Sequence, residues 1–488
     1  MLTSHLPSLN TAAVMDRMHA DGLEDSPAGG ALSDNNAALH HCIRQLAKSL
    51  TLRKTDKSWA SELVNDLRGK FLEYLKRNAH SYLQSVTVLN SGSYYEMVKI
   101  GDPDEFDMML LLPTPRLNWT EIAELNGLFY KVSLTHQTRE KIRAFLLQDA
   151  RTISPIKILE EIHHLVRKFI KTYEAPGGKH YWTLNRKNPN SPAITLLLKS
   201  VREEDKEKGG EEVQESVMEA KGLDTREQIS LDIVPALEVS EAQGWPPATR
   251  KGLKVEKWLG SKTRCNLKSQ GFYFVAKKPK KLRRNLSPDS QESWRISFSH
   301  IEKQIIKVHG NNRTCCEKNA QKCCRKQCLK LLKYLIERLK QLYPNDLKPL
   351  CSYHAKTVFL HTLSDRAEDQ KWAQKLLPEC FLLLLENLQK HVHAASLPHF
   401  FVPDHNLFAP PDFPRRCLQF LQKTLEDQRA QGYPLLREAH PVETLRTTDV
   451  MTPKDPMSLA CPPSDSPVKK AMVICLAFFF IMFLYKKL

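Results

Sequence analysis

The sequence lacks several features that would assign it to a class at once. Its N-terminus has no basic segment followed by an apolar stretch, so we expect no secretory signal and a protein of the reducing cytosol. We find no internal repeat in its 488 residues, which argues against a repeat array. Acidic residues are in deficit, with 55 Asp and Glu against 72 Lys and Arg. The net charge of +17 favours nucleic acid or an acidic membrane surface as partner, with a basic protein lacking such a partner as the alternative.

A long apolar run is missing too. Residues 471–485 are uncharged and apolar between two lysine pairs, but as a helix they span only about 22 Å, less than a hydrocarbon core. Snorkelling lysines and local thinning would close that gap. We therefore interpret residues 468–488 as a C-terminal tail anchor in an organelle membrane, with the protein facing the cytoplasm. The alternatives are a tail buried in the protein or lying in the membrane interface.

Composition and periodicity divide the rest of the chain into four segments. Residues 1–40 show little periodicity and are predicted to be a disordered tail, and residues 41–290 are predicted to be a core of mixed strands and helices. Residues 291–430 are predicted to be a helical lobe. Residues 431–467, rich in Pro, Thr, Ser and Asp, are predicted to be a linker, and the charged segment 202–222 an exposed loop.

The pattern of apolar residues specifies the elements. Leu63, Leu67, Phe71 and Leu75 recur every four residues and predict one long helix bearing many basic residues. Strand-like runs are predicted at 86–89, 106–112, 193–198 and 229–234, and helices at 156–173, 301–308, 323–343, 355–363 and 380–391. Strands followed by helices predict an α/β fold with a C-terminal helical part.

Three carboxylates form the first candidate site. Glu105 and Asp107 are two residues apart, so on a strand they project from one face, where they would hold divalent cations for phosphoryl transfer. Asp232 lies among apolar neighbours on another predicted strand, and its charge there needs compensation. Gly92 and Ser93 would bring backbone N–H groups and a hydroxyl to a triphosphate. The alternative is a simple turn and a solvated strand end.

Crowded cysteines form the second candidate site. Five of the 12 cysteines lie between positions 315 and 328, a clustering that in a reducing compartment favours a metal. Cys324 and Cys328 are spaced with Leu331 and Leu335 along a core-facing helical stripe. The residues left as ligands of a tetrahedral zinc ion are His309, Cys315, Cys316 and Cys323. The alternative is a buried cluster of free thiols.

Basic residues surround this second site. The stretch 303–340 holds eleven basic and two acidic residues, and Lys322, Lys326, Lys330 and Lys333 are predicted to share one helix face that binds phosphates. An ordinary solvated lysine face is the alternative. The basic run 277–284 has three interpretations, a nuclear-localisation signal, a DNA-contacting loop or a solvated loop.

These motifs together resemble one family. The run Gly92-Ser93-Tyr94-Tyr95-Glu96, with Glu105 and Asp107, is similar to the catalytic signature of the cyclic GMP-AMP synthase family. Residues 294–302 resemble its nucleotide-pocket segment, His309 to Cys323 its zinc thumb, and residues 352–354 its base-stacking segment. The resemblance covers about residues 42–430. It implies a nucleotidyltransferase core, a mixed twisted sheet with a long spine helix, joined to a helical lobe that carries the zinc thumb at 309–328.

The resemblance also implies roles for individual residues. Glu105, Asp107 and Asp232 would hold two Mg²⁺ (or Mn²⁺) ions, and Asp232 would help activate the attacking hydroxyl. Tyr353 would stack on a base and Arg295 contact a base edge. The other residues implied to bind ATP and GTP are Ser93, Ser297, Ser299, Glu302, Lys333 and Ser352. Those implied to grip the phosphates of double-stranded DNA are Lys54, Lys303, Arg313, Lys326 and Lys330.

Partners follow from the same resemblance. It implies activation by duplex DNA, a DNA-bound homodimer, and a cyclic dinucleotide with one 2′–5′ and one 3′–5′ linkage that acts on the stimulator of interferon genes adaptor in antiviral innate immunity. This sequence departs from the family pattern in its short, non-basic N-terminal tail, its long 202–222 loop and its C-terminal apolar segment. Residence of this protein in the nucleus, in addition to the membrane, is a further alternative.

Two rival functions stand beside this one. One is a relative that senses double-stranded RNA or makes another cyclic dinucleotide, against which the zinc motif argues. The other is a catalytically weak adaptor that binds nucleic acid, against which the three intact carboxylates argue.

Overall fold

The structure is a computed structural model that describes residues 28–438 except 53, 80–81, 113, 137–140, 187–190, 201–228, 280–291, 311–314 and 317–321. At residues 28–35, 54–57 and 141 it describes the backbone but not the side chains. The predictions for the loop at 202–222, for most of the basic run 277–284 and for the apolar segment 471–485 therefore lie outside the described residues.

The apolar runs of the first half pair into one mixed sheet. Its strands are β1 (Thr87–Ser91), β2 (Glu105–Leu112), β3 (Leu117–Glu121), β4 (Phe129–Leu134), β5 (His180–Leu184), β6 (Ile194–Ser200), β7 (Ile229–Val239), β8 (Phe272–Val275) and β9 (Trp294–Ser297). The order is β1-β2-β7-β8-β9-β4-β3, with β6 also paired to β7 and β5 to β6. Strands β2 and β7 run parallel, and the other pairs are antiparallel.

The sequence pattern predicts β1, β2, β6 and β7 but not the other five strands. Those five are four to six residues long. So short a run carries few alternations, and among the strands of five residues or fewer the pattern predicts β1 alone.

Both faces of the central strand β2 are covered, which explains why its sequence is a nearly unbroken apolar run. Phe106, Met108 and Leu110 belong to the main core, whereas Met109 and Leu111 belong to a smaller cluster. Because side chains alternate along a strand, Glu105 and Asp107 project on the side of Met109 and Leu111. The hydroxyl of Ser299 lies 3.0 Å from the sulfur of Met109, so the helix that begins at Ser299 approaches this carboxylate face.

Helices frame the sheet and form the C-terminal lobe. They are α1 (Ala28–Ser49), α2 (Lys54–Asn78), α3 (Gly92–Tyr95), α4 (Pro155–Thr172), α5 (Glu256–Leu259), α6 (Ser261–Lys268), α7 (Ser299–Val308), α8 (Arg325–Leu342), α9 (Ser352–Asp365), α10 (Leu377–His393), α11 (Arg415–Ala430) and α12 (Pro434–Arg437). The predicted long helix is α2, and its four-residue repeat from Leu63 to Leu75 is buried. The α/β fold with a helical C-terminal part is confirmed.

Three segment boundaries differ from the prediction. Helix α1 begins inside the segment predicted to be disordered, because Leu39, Ile43 and Leu46 bury one face against α8, α10 and α12 of the helical lobe. Strand β9 lies beyond residue 291 yet pairs with β8 and β4, so the core extends further than predicted. Helix α12 lies in the predicted linker, where Leu435 and Leu436 are buried.

The membrane anchor gains no support from the structure. Over the part of the chain that is described, no helix combines the length and the apolar character needed to cross a bilayer.

Candidate active site

The pairing of β2 with β7 brings the predicted carboxylates together. In this parallel pair Asp107 is the register partner of Asp232, and Glu105 is the partner of Ser230. Partners in a parallel pair project to the same face, so Asp107 and Asp232 stand side by side with Glu105 one pleat away. The sequence shows the Glu-x-Asp spacing, but only the sheet register brings in Asp232 from 125 residues downstream.

The electrostatics of these carboxylates fit a bound cation. Burial, followed by the charges of Glu105 and Asp232, raises the pKa of Asp107 to about 7. Burial also raises the pKa of Asp232, although the Thr195 hydroxyl donates a hydrogen bond of 2.6 Å to its Oδ1 and opposes the rise. Carboxylates that oppose one another's ionisation are stabilised by a divalent cation, and their oxygens are the ligands Mg²⁺ prefers.

Lys99, which belongs to none of the sequence motifs, holds the third carboxylate. The Nζ of Lys99 lies 2.9 Å from Oε2 of Glu105 and 3.0 Å from Oδ1 of Asp104. Burial acts to raise the pKa of Glu105, but the charge and hydrogen bond of Lys99 outweigh it, and the pKa is lowered. A cation that engages Glu105 must therefore compete with Lys99. The position of Lys99, three residues after the Gly-Ser-Tyr-Tyr-Glu run, is the only sequence signal for it.

Gly92 packs directly against this cluster. Its φ is +82°, in the left-handed region that favours glycine, and a Cβ there would overlap the carboxylate of Asp107. Ser93 follows in the short helix α3. The glycine thus lets the backbone reach Asp107, as close approach to a metal-bound triphosphate requires.

Predicted nucleotide-binding residues meet in a network beside the carboxylates. The Tyr353 hydroxyl donates to Oε1 of Glu302 at 3.0 Å. The Nζ of Lys356 lies 2.9 Å from the other oxygen of Glu302 and 2.8 Å from Oε1 of Glu96. Burial acts against the charge of Lys356, but the two glutamates outweigh it and raise its pKa. Lys356 lies one turn after Tyr353 on α9, and it links the helical lobe to the Gly-Ser-Tyr-Tyr-Glu run of the core.

The remaining predicted pocket residues come from several elements. Arg295 and Ser297 lie on β9, and the charge of Arg295 acts on Tyr353. Ser352 begins α9. Lys333 is not on the solvent-facing lysine stripe predicted for α8, since it is buried and donates to the carbonyl of Val98 at 3.1 Å. Burial lowers the pKa of Lys333 to about 8.

A second group of side chains has the geometry of a zinc site. The ligand atoms of His309, Cys315, Cys316 and Cys323 all lie within 4.8 Å of one another. The sulfur of Cys316 is 3.9 Å from that of Cys315 and 3.7 Å from that of Cys323, and 3.5 Å from Nε2 of His309. Tetrahedral zinc with its usual bond lengths places two sulfurs about 3.8 Å apart, and a sulfur about 3.6 Å from a nitrogen.

The surroundings orient these four residues for a metal. Nδ1 of His309 lies 2.9 Å from the carbonyl of Lys307, so Nδ1 carries the proton and Nε2 keeps its lone pair for a metal. The N–H of Cys323 donates to the sulfur of Cys316 at 3.3 Å. Burial and the neighbouring thiols raise the pKa of Cys315, so thiolates here need a compensating cation. The ligand set fits zinc.

The other two cysteines of the cluster are structural, as predicted. Cys324 and Cys328 are both fully buried with Leu331 and Leu335. Next to them Arg325 is fully buried and paired with Asp369 at 2.7 Å. It begins α8, and its Nη1 lies 3.9 Å from the sulfur of Cys315.

The predicted DNA-binding residues are only partly described. Lys326 lies in the first turn of α8, where its charge acts on His309. Lys303 donates to the carbonyl of Asn90 at 2.9 Å and lies over the ring of Tyr95. Lys322 precedes α8 and so does not share its lysine face. Arg313 and the side chain of Lys54 lie outside the described residues.

Comparisons with known proteins agree with this geometry. The family model of the Mab-21 protein nucleotidyltransferase domain matches residues 94–308, and that of the Mab-21 protein HhH/H2TH-like domain matches residues 324–427. The chain is 34% identical over 393 residues to cyclic GMP-AMP synthase of Mus musculus, covering 80% of this chain and 70% of that protein. The Sus scrofa synthase is also 34% identical, over 395 residues that cover 80% and 72% of the two chains.

A third relative is more distant in sequence. A cyclic GMP-AMP synthase-like receptor of Magallana gigas is 26% identical over 394 residues, which are 79% of this chain and 58% of that protein. The sheet, its convergent carboxylates and the matched domains define this protein as a nucleotidyltransferase, an enzyme class that works with divalent metal ions. The chain belongs to the family of cyclic GMP-AMP synthases and cyclic GMP-AMP synthase-like receptors.

Proposed function

We propose that this protein is a double-stranded DNA sensor that, when bound to DNA, joins ATP and GTP into cyclic GMP-AMP. The register that sets Asp107 beside Asp232, on the face approached by the helix that carries Glu302, carries this proposal. The names of the two mammalian relatives favour this product over another cyclic dinucleotide.

The residues of the chain have separate parts in the proposed reaction. Glu105, Asp107 and Asp232 would hold two divalent cations. These cations would neutralise the phosphate charge and activate the attacking hydroxyl. Thr195 orients Asp232 through its hydrogen bond, and Gly92 leaves space for the triphosphate next to Asp107. Tyr353 would stack on a nucleobase while Arg295 contacts its edge. The same proposal includes a product with one 2′–5′ and one 3′–5′ linkage and a DNA-bound homodimer. It also includes the stimulator of interferon genes adaptor as the receptor of the product.

A reconstitution assay tests this function. Purified protein is incubated with ATP, GTP, Mg²⁺ and either duplex DNA or duplex RNA, and products are identified by mass spectrometry. We expect a cyclic GMP-AMP product with DNA and little without it. Product formed only with RNA would replace the DNA-sensor proposal by the RNA-sensing one, and DNA binding without any product would favour the adaptor.

The group of His309 and three cysteines beside α8 favours DNA as the activator. Replacing Lys326 and Lys330 together by Gln is expected to weaken DNA binding for every sequence alike, because phosphate contacts carry no sequence information. The slope of log affinity against log salt concentration should become less steep by roughly two phosphate contacts, one for each lysine replaced. Binding titrations at several salt concentrations measure both effects.

Lys340→Gln at the far end of the same helix is the matched control, and it is expected to leave the salt slope unchanged. If the double variant keeps the wild-type slope, this helix face does not contact the phosphates.

The tail-anchor hypothesis for residues 471–485 rests on sequence pattern alone. Leu435 and Leu436 are buried, so a truncation that removes the tail must keep both residues. A chain that ends at about residue 440 meets this condition. The full-length protein should resist carbonate extraction from membranes, and the truncated form should be released. Full-length protein in the wash would end this hypothesis.

A further inference from the structure

One buried histidine contacts the predicted base-stacking tyrosine. His399 lies in the segment between α10 and α11, and its side chain is only 4% exposed. Its Nε2 lies 2.9 Å from the hydroxyl oxygen of Tyr353, and the two rings are tilted by 35° at a centroid distance of 5.7 Å. No motif in the sequence analysis includes His399.

The hydrogen bonds around His399 determine which nitrogen carries the proton. Its Nδ1 accepts the backbone N–H of Phe401 at 3.2 Å and that of Val402 at 3.1 Å. A nitrogen that accepts two N–H groups cannot itself be protonated, so the proton of the neutral ring is on Nε2. Nε2 therefore donates to the Tyr353 oxygen.

Tyr353 is consequently held from both sides. Its oxygen accepts from His399, and its own proton is donated to Oε1 of Glu302. Lys356 in turn fixes the other oxygen of Glu302 and reaches Glu96. The chain of donors thus has one direction, from the histidine to the carboxylates, and it fixes the position of the hydroxyl end of the tyrosine ring.

We propose that His399 is a positioning residue that holds the ring of Tyr353 in place for stacking on a nucleobase. This inference rests on the proposed function, because it assumes that Tyr353 stacks on ATP or GTP. Stacking depends on where the ring lies, so a ring held in place before the nucleotide arrives binds it without first being ordered. His399 itself need not touch the nucleotide.

Two conservative substitutions separate the two nitrogens of His399. The amide oxygen of Asn occupies the place of Nδ1, so His399→Asn keeps an acceptor for Phe401 and Val402 but loses the donor to Tyr353. The amide nitrogen of Gln occupies the place of Nε2, so His399→Gln keeps that donor and loses the acceptor. We expect the Asn variant to bind nucleotide less tightly and the Gln variant to bind normally but to melt at a lower temperature.

The binding experiment uses non-hydrolysable ATP and GTP analogues with the full chain in the presence of duplex DNA. We expect His399→Asn to raise the Kd by roughly three- to tenfold, the effect of one lost hydrogen bond. In a Tyr353→Phe background, which already lacks the hydroxyl, the same substitution should have no further effect. Equal Kd values for wild type and His399→Asn, or a full additional loss in the Tyr353→Phe background, would overturn the proposal.

An NMR measurement tests the contact between His399 and Tyr353 without any bound nucleotide. Long-range ¹H–¹⁵N NMR spectra should show His399 as the Nε2–H tautomer, assigned by its disappearance in His399→Asn, with a shifted Nε2 signal in Tyr353→Phe. Wild-type protein that binds neither analogue would contradict the proposed function. An Nδ1–H tautomer, or an unshifted Nε2 signal, would contradict the contact itself.

Discussion

Asp232→Asn is expected to fold and to bind DNA but to lose roughly a hundredfold or more in kcat for nucleotidyl transfer. Asp232 stands in register with Asp107, and Asn is nearly isosteric but neutral. The loss of its charge removes one of three convergent carboxylates and with it the electrostatic hold on a divalent cation. Initial rates from mass spectrometry of the products, at saturating DNA and Mg²⁺, measure the effect.

Two further variants show whether the charge or the contact matters. Thr195→Val removes the hydroxyl that donates to Oδ1 of Asp232 while keeping the carboxylate, and it should cost only roughly three- to tenfold. Asp346→Asn makes the same chemical change at an exposed position and should have no effect. Near-wild-type turnover by Asp232→Asn would show that the carboxylates do not form the catalytic metal site.

Removing one zinc ligand is expected to release the metal, whereas removing a neighbouring core cysteine is not. Wild type should contain about one zinc ion per chain, and Cys316→Ala should contain far less, because a structural zinc site needs all four ligands. The variant should also melt at a lower temperature and bind DNA more weakly, since the His/Cys group adjoins the first turn of α8. Metal analysis of the purified proteins measures the zinc content.

Cys328→Ala is the matched control for this experiment. Its thiol is fully buried and lies in the core stripe of α8, so the variant should keep its zinc and lose about 1 kcal/mol of stability through the small cavity left behind. Equal loss of zinc in Cys316→Ala and Cys328→Ala would show that the ligand set is wrong.

Much of the site is visible in local spacing. Side chains alternate on a strand, so the two-residue spacing of Glu105 and Asp107 places them on one face wherever that strand lies. Likewise a helix repeats every 3.6 residues, so Cys324 and Cys328 are core residues and Cys323 is available as a ligand. The four candidate ligands, His309, Cys315, Cys316 and Cys323, meet in the structure because they lie close together in the sequence.

Residues that act across the fold are not visible in this way. Lys99, Lys356 and His399 are common residue types without a motif, and each matters only through the partner that packing brings to it. Lys333 shows the same limit in reverse, since helical spacing alone placed it with the exposed lysines. In the structure it is buried and donates to the carbonyl of Val98, in the segment between α3 and β2.

Spacings of a few residues specify the shared face of Glu105 and Asp107, the four candidate metal ligands and the face that each local element buries. The class of chemistry came from the resemblance of all the motifs together. The tertiary structure decided that Asp232 lies beside Asp107, that β9 returns to the core sheet and that α1 packs on the helical lobe. Those arrangements join segments far apart in the chain. Their free energy comes from apolar area that two distant elements bury against each other, which no periodicity within either element specifies.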